Sequence, residues 1–286
     1  MKALIKKLKD GTLIGGVDEA GRGPLAGPLV GAIVVMKASF LKKSNFNFKD
    51  SKSLTSKERE EIFEWLKNQK EVEFAFSFVS PKTIDKINIL KATFLAWRRS
   101  LKKLKRKPEV LFVDGNQKIP NLKIKQIQIP QADRKIFPVC LASIVAKVLR
   151  DRFMERLAKK YPFFQFELHK GYPTKRHLTL LKKFGVLPVH RKSFGPVFER
   201  LSFKERVLFI VSKIRKGEVL SYQKVAELAG NKNAARAVGR ILSQNFDKSI
   251  PCHRVIKKDG SLGGYNRGIL LKALLLKKEL KNFHDG

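Results

Sequence analysis

Two adjacent carboxylates, Asp18 and Glu19, follow the apolar run Leu13–Val17 and precede Gly21-Arg22-Gly23-Pro24. Acids set against a buried strand are costly unless cations or hydrogen bonds neutralise them. Asp114 ends a second apolar run, Val110–Val113, and Asp133 stands just before a long apolar stretch with helical character. Acids are scarce in this chain, 25 against 61 Lys and Arg, so their placement at strand ends carries information. Four convergent carboxylates form a hard oxygen set suited to two Mg²⁺ or Mn²⁺ ions. Two such ions can clamp the attacking water and the leaving oxygen of a phosphodiester. Taken singly, each acid reads more readily as a salt-bridged loop residue than as a metal ligand. Asp151 competes with Asp133 for the fourth place, because Ser143, Lys147 and Asp151 share one helix face. The plainer role for Asp151 is an ion pair with Lys147 at i, i+4.

A second chemistry rests on Cys252, in Ile250-Pro251-Cys252-His253-Arg254-Val255. An imidazole and a guanidinium beside a thiol are expected to lower its pKa and supply a thiolate nucleophile, though on residue types alone an unremarkable thiol reads equally well. Cys140 opens an apolar helix and reads as core. Two cysteines give no disulfide framework, and no Cys/His set has zinc spacing.

The elements that must position these groups follow from periodicity. Leu13–Val17 and Leu29–Val35 read as buried strands, and Val72, Phe74, Phe76 and Phe78 alternate as a half-buried one. Thr55 with Glu58 is a capping-box signature, and Ser80-Pro81 fits N-cap and N1 of a helix. The stripe Ile87, Leu90, Phe94, Trp97, Leu101 and Leu104 predicts one helix, and Leu141 to Lys160 predicts another. Mixed strands and helices over the first two hundred residues argue for an α/β layered domain. Pro188 to Pro196 reads as a linker. Beyond it the pattern is helical, with Lys224–Ala229 and Ala234–Ser243 flanking Gly230-Asn231 as a helix-turn-helix.

The 286 residues favour two domains, and a net charge of +36 spread along the chain predicts a polyanionic partner, nucleic acid above all. Met1 to Asp10 lacks the apolar centre of a signal peptide. Leu25–Met36 is too short to span a bilayer and contains Gly27, Pro28 and Gly31. A cytoplasmic protein without a membrane partner, and a monomer, is expected.

Gly15-Gly16-Val17-Asp18-Glu19-Ala20-Gly21-Arg22-Gly23-Pro24-Leu25-Ala26-Gly27-Pro28 closely resembles the signature of ribonuclease HII, the type 2 ribonuclease H. The likeness continues through Asp50 to Leu54, Val113 to Gly115, Ala142 to Val148 with Arg150-Asp151, and Gly171 to His177, spanning about residues 10 to 198. It implies a ribonuclease H-like mixed sheet with flanking helices. It implies cleavage 5′ to a ribonucleotide in an RNA–DNA hybrid or in ribonucleotide-containing duplex DNA. Asp18, Glu19, Asp114 and Asp133 match the metal-binding acids, and Gly21, Arg22 and Gly23 the segment that reads the 2′-hydroxyl through backbone groups. Such a reading agrees with the 2′-hydroxyl being what separates RNA from DNA at one site. Tyr172 matches the tyrosine packing on the junction sugar, and Lys52, Ser143 and Lys147 match phosphate contacts. Ser53 stands where the family usually has a second Lys or similar residue.

Pro251-Cys252-His253-Arg254-Val255 resembles the acceptor motif of the O6-alkylguanine-DNA alkyltransferases. The likeness covers about residues 202 to 281, including Gly217 to Tyr222, Ala234 to Gly239, Gly260 to Tyr265 and Glu279. It implies a small, mainly helical, winged-helix-like domain acting on alkylated duplex DNA without a cofactor. The damaged base is flipped out, and its alkyl group moves once and for all to Cys252. By this resemblance His253 is the base acting through a water, Glu279 orients it, Asn245 braces the site, Arg236 fills the vacated stack, and Tyr222 turns the target phosphate. Phe246 and Gln223 replace the Pro and Gly usual in the family. The expected organisation is thus 1–198 and 202–286, with both activities present. The alternative is a ribonuclease carrying a non-catalytic lesion-sensing module.

Overall fold

A computed structural model describes residues 8–43 and 54–281; Lys52 and Ser53 lie outside the described residues. The chain divides into two compact units, Met1–Phe194 and Gly195–Gly286. The presumed linker is therefore partly core. His190 and Arg191 are buried within the first unit, because both side chains are satisfied by surrounding polar groups.

The first unit is built on a five-stranded sheet in the order β3-β2-β1-β4-β5. The strands are β1 (Leu13–Ala20), β2 (Leu29–Lys37), β3 (Glu73–Val79), β4 (Val110–Asp114) and β5 (Lys125–Ile129). β1 pairs antiparallel with β2 and parallel with β4, so the sheet is mixed, as expected. Period-two alternation divides β2 between two layers. Val30, Ala32, Val34 and Met36 pack with the long helix Phe137–Lys160, whereas Ile33 and Val35 face Phe94, Trp97 and Leu101 across the sheet. Both faces of β2 are covered, which explains why its sequence is continuously apolar.

Three helices matter for the site: α1 (Ser56–Lys67), α2 (Ile89–Lys103) and α3 (Phe137–Lys160). The capping box at Thr55 and Glu58 forms as expected. The single helix expected from Ser80-Pro81 to Leu104 is two, Pro81–Ile87 and α2. Asn88 adopts φ 68°, breaks the helical path, and caps α2 by accepting from Lys91 N–H at 3.0 Å. α3 lies so close to β1 that a Cβ on Gly16 would meet Val139 N at 2.3 Å.

Behind the Tyr172 segment sit three buried histidines, with His169 and His177 stacked at 4.3 Å between ring centroids. Their hydrogen bonds fix their tautomers. His177 Nδ1–H donates to Tyr172 O (2.9 Å), leaving Nε2 to accept from His190 Nε2–H (3.1 Å). His190 Nδ1 accepts from Leu187 N–H (2.9 Å). His169 Nδ1 accepts from Gly171 N–H, and its Nε2–H donates to Phe164 O. All three rings are thus neutral, with every nitrogen engaged. Burial holds the pKa of His177 down to about 4 and that of His190 down to about 3.

The second unit is mainly helical. Helix Phe203–Val211 packs with α4 (Tyr222–Leu228) and α5 (Ala235–Ser243) around Val207, Val225, Val238 and Leu242. Gly230, at φ 92°, turns the chain between α4 and α5, and Asn231 N–H closes the turn onto Ala226 O. A two-stranded parallel ribbon joins Leu220–Ser221 to Val255–Ile256, and α6 (Ile269–Lys281) follows.

Candidate active sites

In the first unit, Asp18 and Glu19 stand near the C-terminal end of β1, and Asp114 closes the adjacent parallel strand β4. Parallel pairing thus brings the two strand ends side by side. Asp18 is buried, its Oδ1 accepts from Glu19 N–H at 2.7 Å, and the Trp97 indole N–H donates to its main-chain oxygen at 3.0 Å. Burial raises the Asp18 carboxyl well above the usual range, and the negative charges of Glu19 and Asp114 add to the effect. A hydrogen bond from Ser143 on α3 works the other way. Ser143, matched by resemblance to a phosphate contact, here holds Asp18.

Asp114 Oδ1 accepts from Ala132 N–H at 2.7 Å, which places the buried Asp133 one residue from that tie. Asp151 is paired with Lys147 at 2.8 Å, the plainer of its two readings. Among the described residues no three acidic, histidine or cysteine side chains form a closed ligand cluster. The donor set nevertheless fits divalent ions in type. These are hard oxygens, and a cation is what lets crowded carboxylates stay ionised together.

A cleft of about 370 Å³ opens beside the acids, lined by Glu19, Gly21, Arg22, Gly23, Lys147 and Tyr172 among others. Gly21 sits at φ 97°, where a Cβ would strike Arg150 Nε at 2.2 Å. Arg22 reaches Glu19 at 3.5 Å. Tyr172 is partly exposed and lies over the buried Arg150 guanidinium at 5.7 Å.

In the second unit, Cys252 lies in a cavity of about 800 Å³ with Tyr222, Arg236, Phe246 and Tyr265 among its walls. Asn245 Nδ2 donates to its Sγ at 3.2 Å. Burial pushes the thiol pKa up despite that bond, contrary to the expectation of a thiolate supplied by neighbouring cations. The physical reason is that Arg254 turns away. Its guanidinium donates twice to Glu279, at 2.8 and 2.7 Å, and once to Ile214 O. Glu279, held down to about 2 chiefly by Arg254, also accepts from His253 Nε2–H at 3.2 Å. That bond leaves His253 Nδ1 as the basic nitrogen. Tyr222 O–H donates to Gly264 O at 3.1 Å, and Arg236 is exposed on α5.

Residue-by-residue reading missed Lys272. Its buried ammonium donates to Val255 O and Gly264 O, at 2.6 and 3.3 Å, and lies over the Tyr222 ring. Burial lowers its pKa to about 8. The spacing Lys272, Leu276, Glu279 puts two charges on the buried stripe of α6, a signal present in the sequence.

The sequence profile of ribonuclease HII matches residues 15–205. The chain belongs to the ribonuclease HII family. Its ribonuclease HII half is 46% identical over 190 residues to the ribonuclease HII of Endomicrobium trichonymphae, covering 66% of this chain and 88% of that one. The Caldicellulosiruptor bescii ribonuclease HII is also 46% identical, over 66% and 90% of the two chains. The crystal structure of ribonuclease H2 from Pyrococcus horikoshii superposes on 66% of this chain and 96% of that one, with 30% identity and a TM-score of 0.56. Residues 202–281 match the DNA-binding domain of 6-O-methylguanine DNA methyltransferase, so the chain joins a ribonuclease HII to an alkyltransferase domain. Among the described residues no helix is long and apolar enough to cross a membrane.

Proposed function

We propose that this enzyme nicks duplexes 5′ to ribonucleotides with Mg²⁺ or Mn²⁺ and, separately, accepts alkyl groups from O6-alkylguanine in DNA on Cys252. The domain bounds proposed for the two activities are 1–198 and 202–286. The observation that carries the first activity is the crowding of Asp18, Glu19 and Asp114 beside the cleft lined by Gly21, Arg22, Gly23 and Tyr172.

Asp18, Glu19, Asp114 and Asp133 would hold the ions, which supply an activated water and charge stabilisation at the phosphate. The chain's own groups do the rest. Trp97 and Ser143 fix Asp18, Gly21 to Gly23 present backbone to the 2′-hydroxyl, Tyr172 packs on the sugar, and Lys147 contacts the phosphates. Net charge adds sequence-independent attraction to either duplex.

For alkyl transfer, a buried thiol of raised pKa needs a base at the moment of reaction. His253 Nδ1 takes the thiol proton through a water, and the ionised Glu279 stabilises the resulting imidazolium. The Cys252 sulfur then forms a bond to the alkyl carbon as the carbon–oxygen bond to guanine breaks. Guanine leaves with the bonding pair and takes up a proton. Asn245 steadies the sulfur, Arg236 occupies the gap in the stack, and Tyr222 contacts the backbone of the flipped nucleotide. The raised thiol pKa also suits the alternative of a lesion-sensing module without transfer.

Two measurements test the scheme. A duplex with one embedded ribonucleotide should be nicked with Mg²⁺ or Mn²⁺ and left intact in EDTA. Mass spectrometry after incubation with O6-methylguanine DNA should show one added methyl on the Cys252 peptide. An unmodified peptide despite tight binding selects the sensing module.

A further inference from the structure

The loop between β1 and β2 owes its orientation to a residue 170 positions away. Arg191 is fully buried, and the hydrogen bonds of its guanidinium go to main-chain carbonyls of that loop. Nη2 donates to Gly21 O (2.7 Å) and Gly27 O (3.0 Å), Nη1 to Arg22 O (3.0 Å), and Nε to Gly27 O (3.1 Å). From the other flank Arg150 Nε donates to Pro28 O (3.1 Å), and its Nη2 to Ala26 O (3.2 Å). Leu25 O accepts from Arg191 N–H, at 2.8 Å.

Peptide planarity turns this clamp into a statement about donors. The chain contains no cis peptide bond among the described residues, and in a trans peptide the N–H points opposite to the preceding C=O. The carbonyls of Gly21 and Arg22 point at the buried guanidinium. The N–H groups of Arg22 and Gly23 therefore point away from it. Both residues line the cleft beside Glu19 and Tyr172. Burial and the nearby Arg150 push the Arg191 pKa down to about 9, which leaves the fork protonated, with each of its three nitrogens donating to the loop.

We propose that Arg191 is the positioning residue for ribose recognition: its buried guanidinium aims the Arg22 and Gly23 amides into the cleft, where they donate to a 2′-hydroxyl. This inference rests on the ribonucleotide-directed reading above. A lysine cannot replace the fork, because an ammonium is a point charge without the planar reach to three carbonyls.

The test compares wild type with Arg191→Lys in Ca²⁺, where binding is read without cutting, and in Mg²⁺, where nicking is read. The two duplexes are identical except for one ribonucleotide. Wild type should bind and nick the ribonucleotide duplex in preference to the all-DNA one. R191K should lose that preference by roughly tenfold for each amide bond mis-aimed. Its affinity for the all-DNA duplex should be unchanged, and its kcat should fall more than its KM rises. If wild type nicks selectively and R191K is equally selective, the assignment to Arg191 is wrong. If wild type shows no ribonucleotide preference, the underlying reading fails instead.

Should R191K not fold, amide exchange in wild type decides. Arg22 and Gly23 N–H should gain protection with the ribonucleotide duplex and not with the all-DNA one. Equal protection by both overturns the proposal.

Discussion

Mild acid should destabilise the ribonuclease half through its three histidines. In the folded state His177 titrates at about 4 and His190 at about 3, against an ordinary 6.5. A histidine whose folded pKa is depressed stabilises fully above its unfolded value, and that stability drains as pH falls toward the folded one. Each pH unit of depression corresponds to about 1.4 kcal/mol. His177 alone thus represents roughly 3 kcal/mol between pH 6.5 and 4. His190 cannot simply be added, because the two rings share one hydrogen bond and the first proton breaks it for both. A loss of that size is a large part of the roughly 5–15 kcal/mol typical of a domain. Asp18, raised by burial, pulls in the opposite direction, so the titration belongs in saturating Mg²⁺. Both tryptophans, Trp65 and Trp97, lie in the first unit, so their fluorescence in a urea titration follows that half alone. The urea midpoint should drop steeply as pH falls from 6.5 toward 4. A midpoint constant over that range would show that the neutral-ring network does not exist.

Asp18→Asn should reduce nicking below detection while leaving the metal-free thermal midpoint unchanged or raised, since it relieves the crowding of Glu19 and Asp114; differential scanning with and without Mg²⁺ checks both. Glu279→Gln should slow alkyl transfer by at least roughly tenfold, through the loss of charge behind His253, with DNA affinity retained; single-turnover mass spectrometry reads the rate. Gly16→Ala should destabilise the first unit by about 1–3 kcal/mol, because its Cβ would land 2.3 Å from Val139 N; the same fluorescence titration measures it.

Local rules made much of the scaffold legible. The continuous apolar run of β2, the alternation of β3, the capping box at Thr55, and the Ser80-Pro81 start all act over a few residues and appear as expected. The break at Asn88 was hidden because the apolar stripe continues across it and the break is one backbone angle. The acids at the ends of β1 and β4 were readable from strand-end placement, yet their mutual effect depends on parallel pairing, which no local pattern encodes. The state of Cys252 was misjudged for a related reason. His253 and Arg254 are sequence neighbours, but Arg254 is committed to Glu279, 25 residues on. Arg191 and His190 resembled a polar linker because their partners are main-chain oxygens and buried rings that composition does not reveal.

The clamp on the β1–β2 loop bears on how the protein is made. Synthesis runs from the N-terminus, and domains tend to fold as they emerge. The five strands and α3 are complete by residue 160, so the sheet can form while the chain is still on the ribosome. The carbonyls of Gly21, Arg22 and Gly27 acquire their guanidinium only when Arg191 follows, three residues before the first unit ends. A nascent or truncated chain that stops at residue 188 would therefore carry its four acids beside a loop held by Arg150 at Ala26 and Pro28 but lacking the Arg191 side of the clamp. The arrival of Arg191, rather than the formation of the sheet, completes the loop beside the acids.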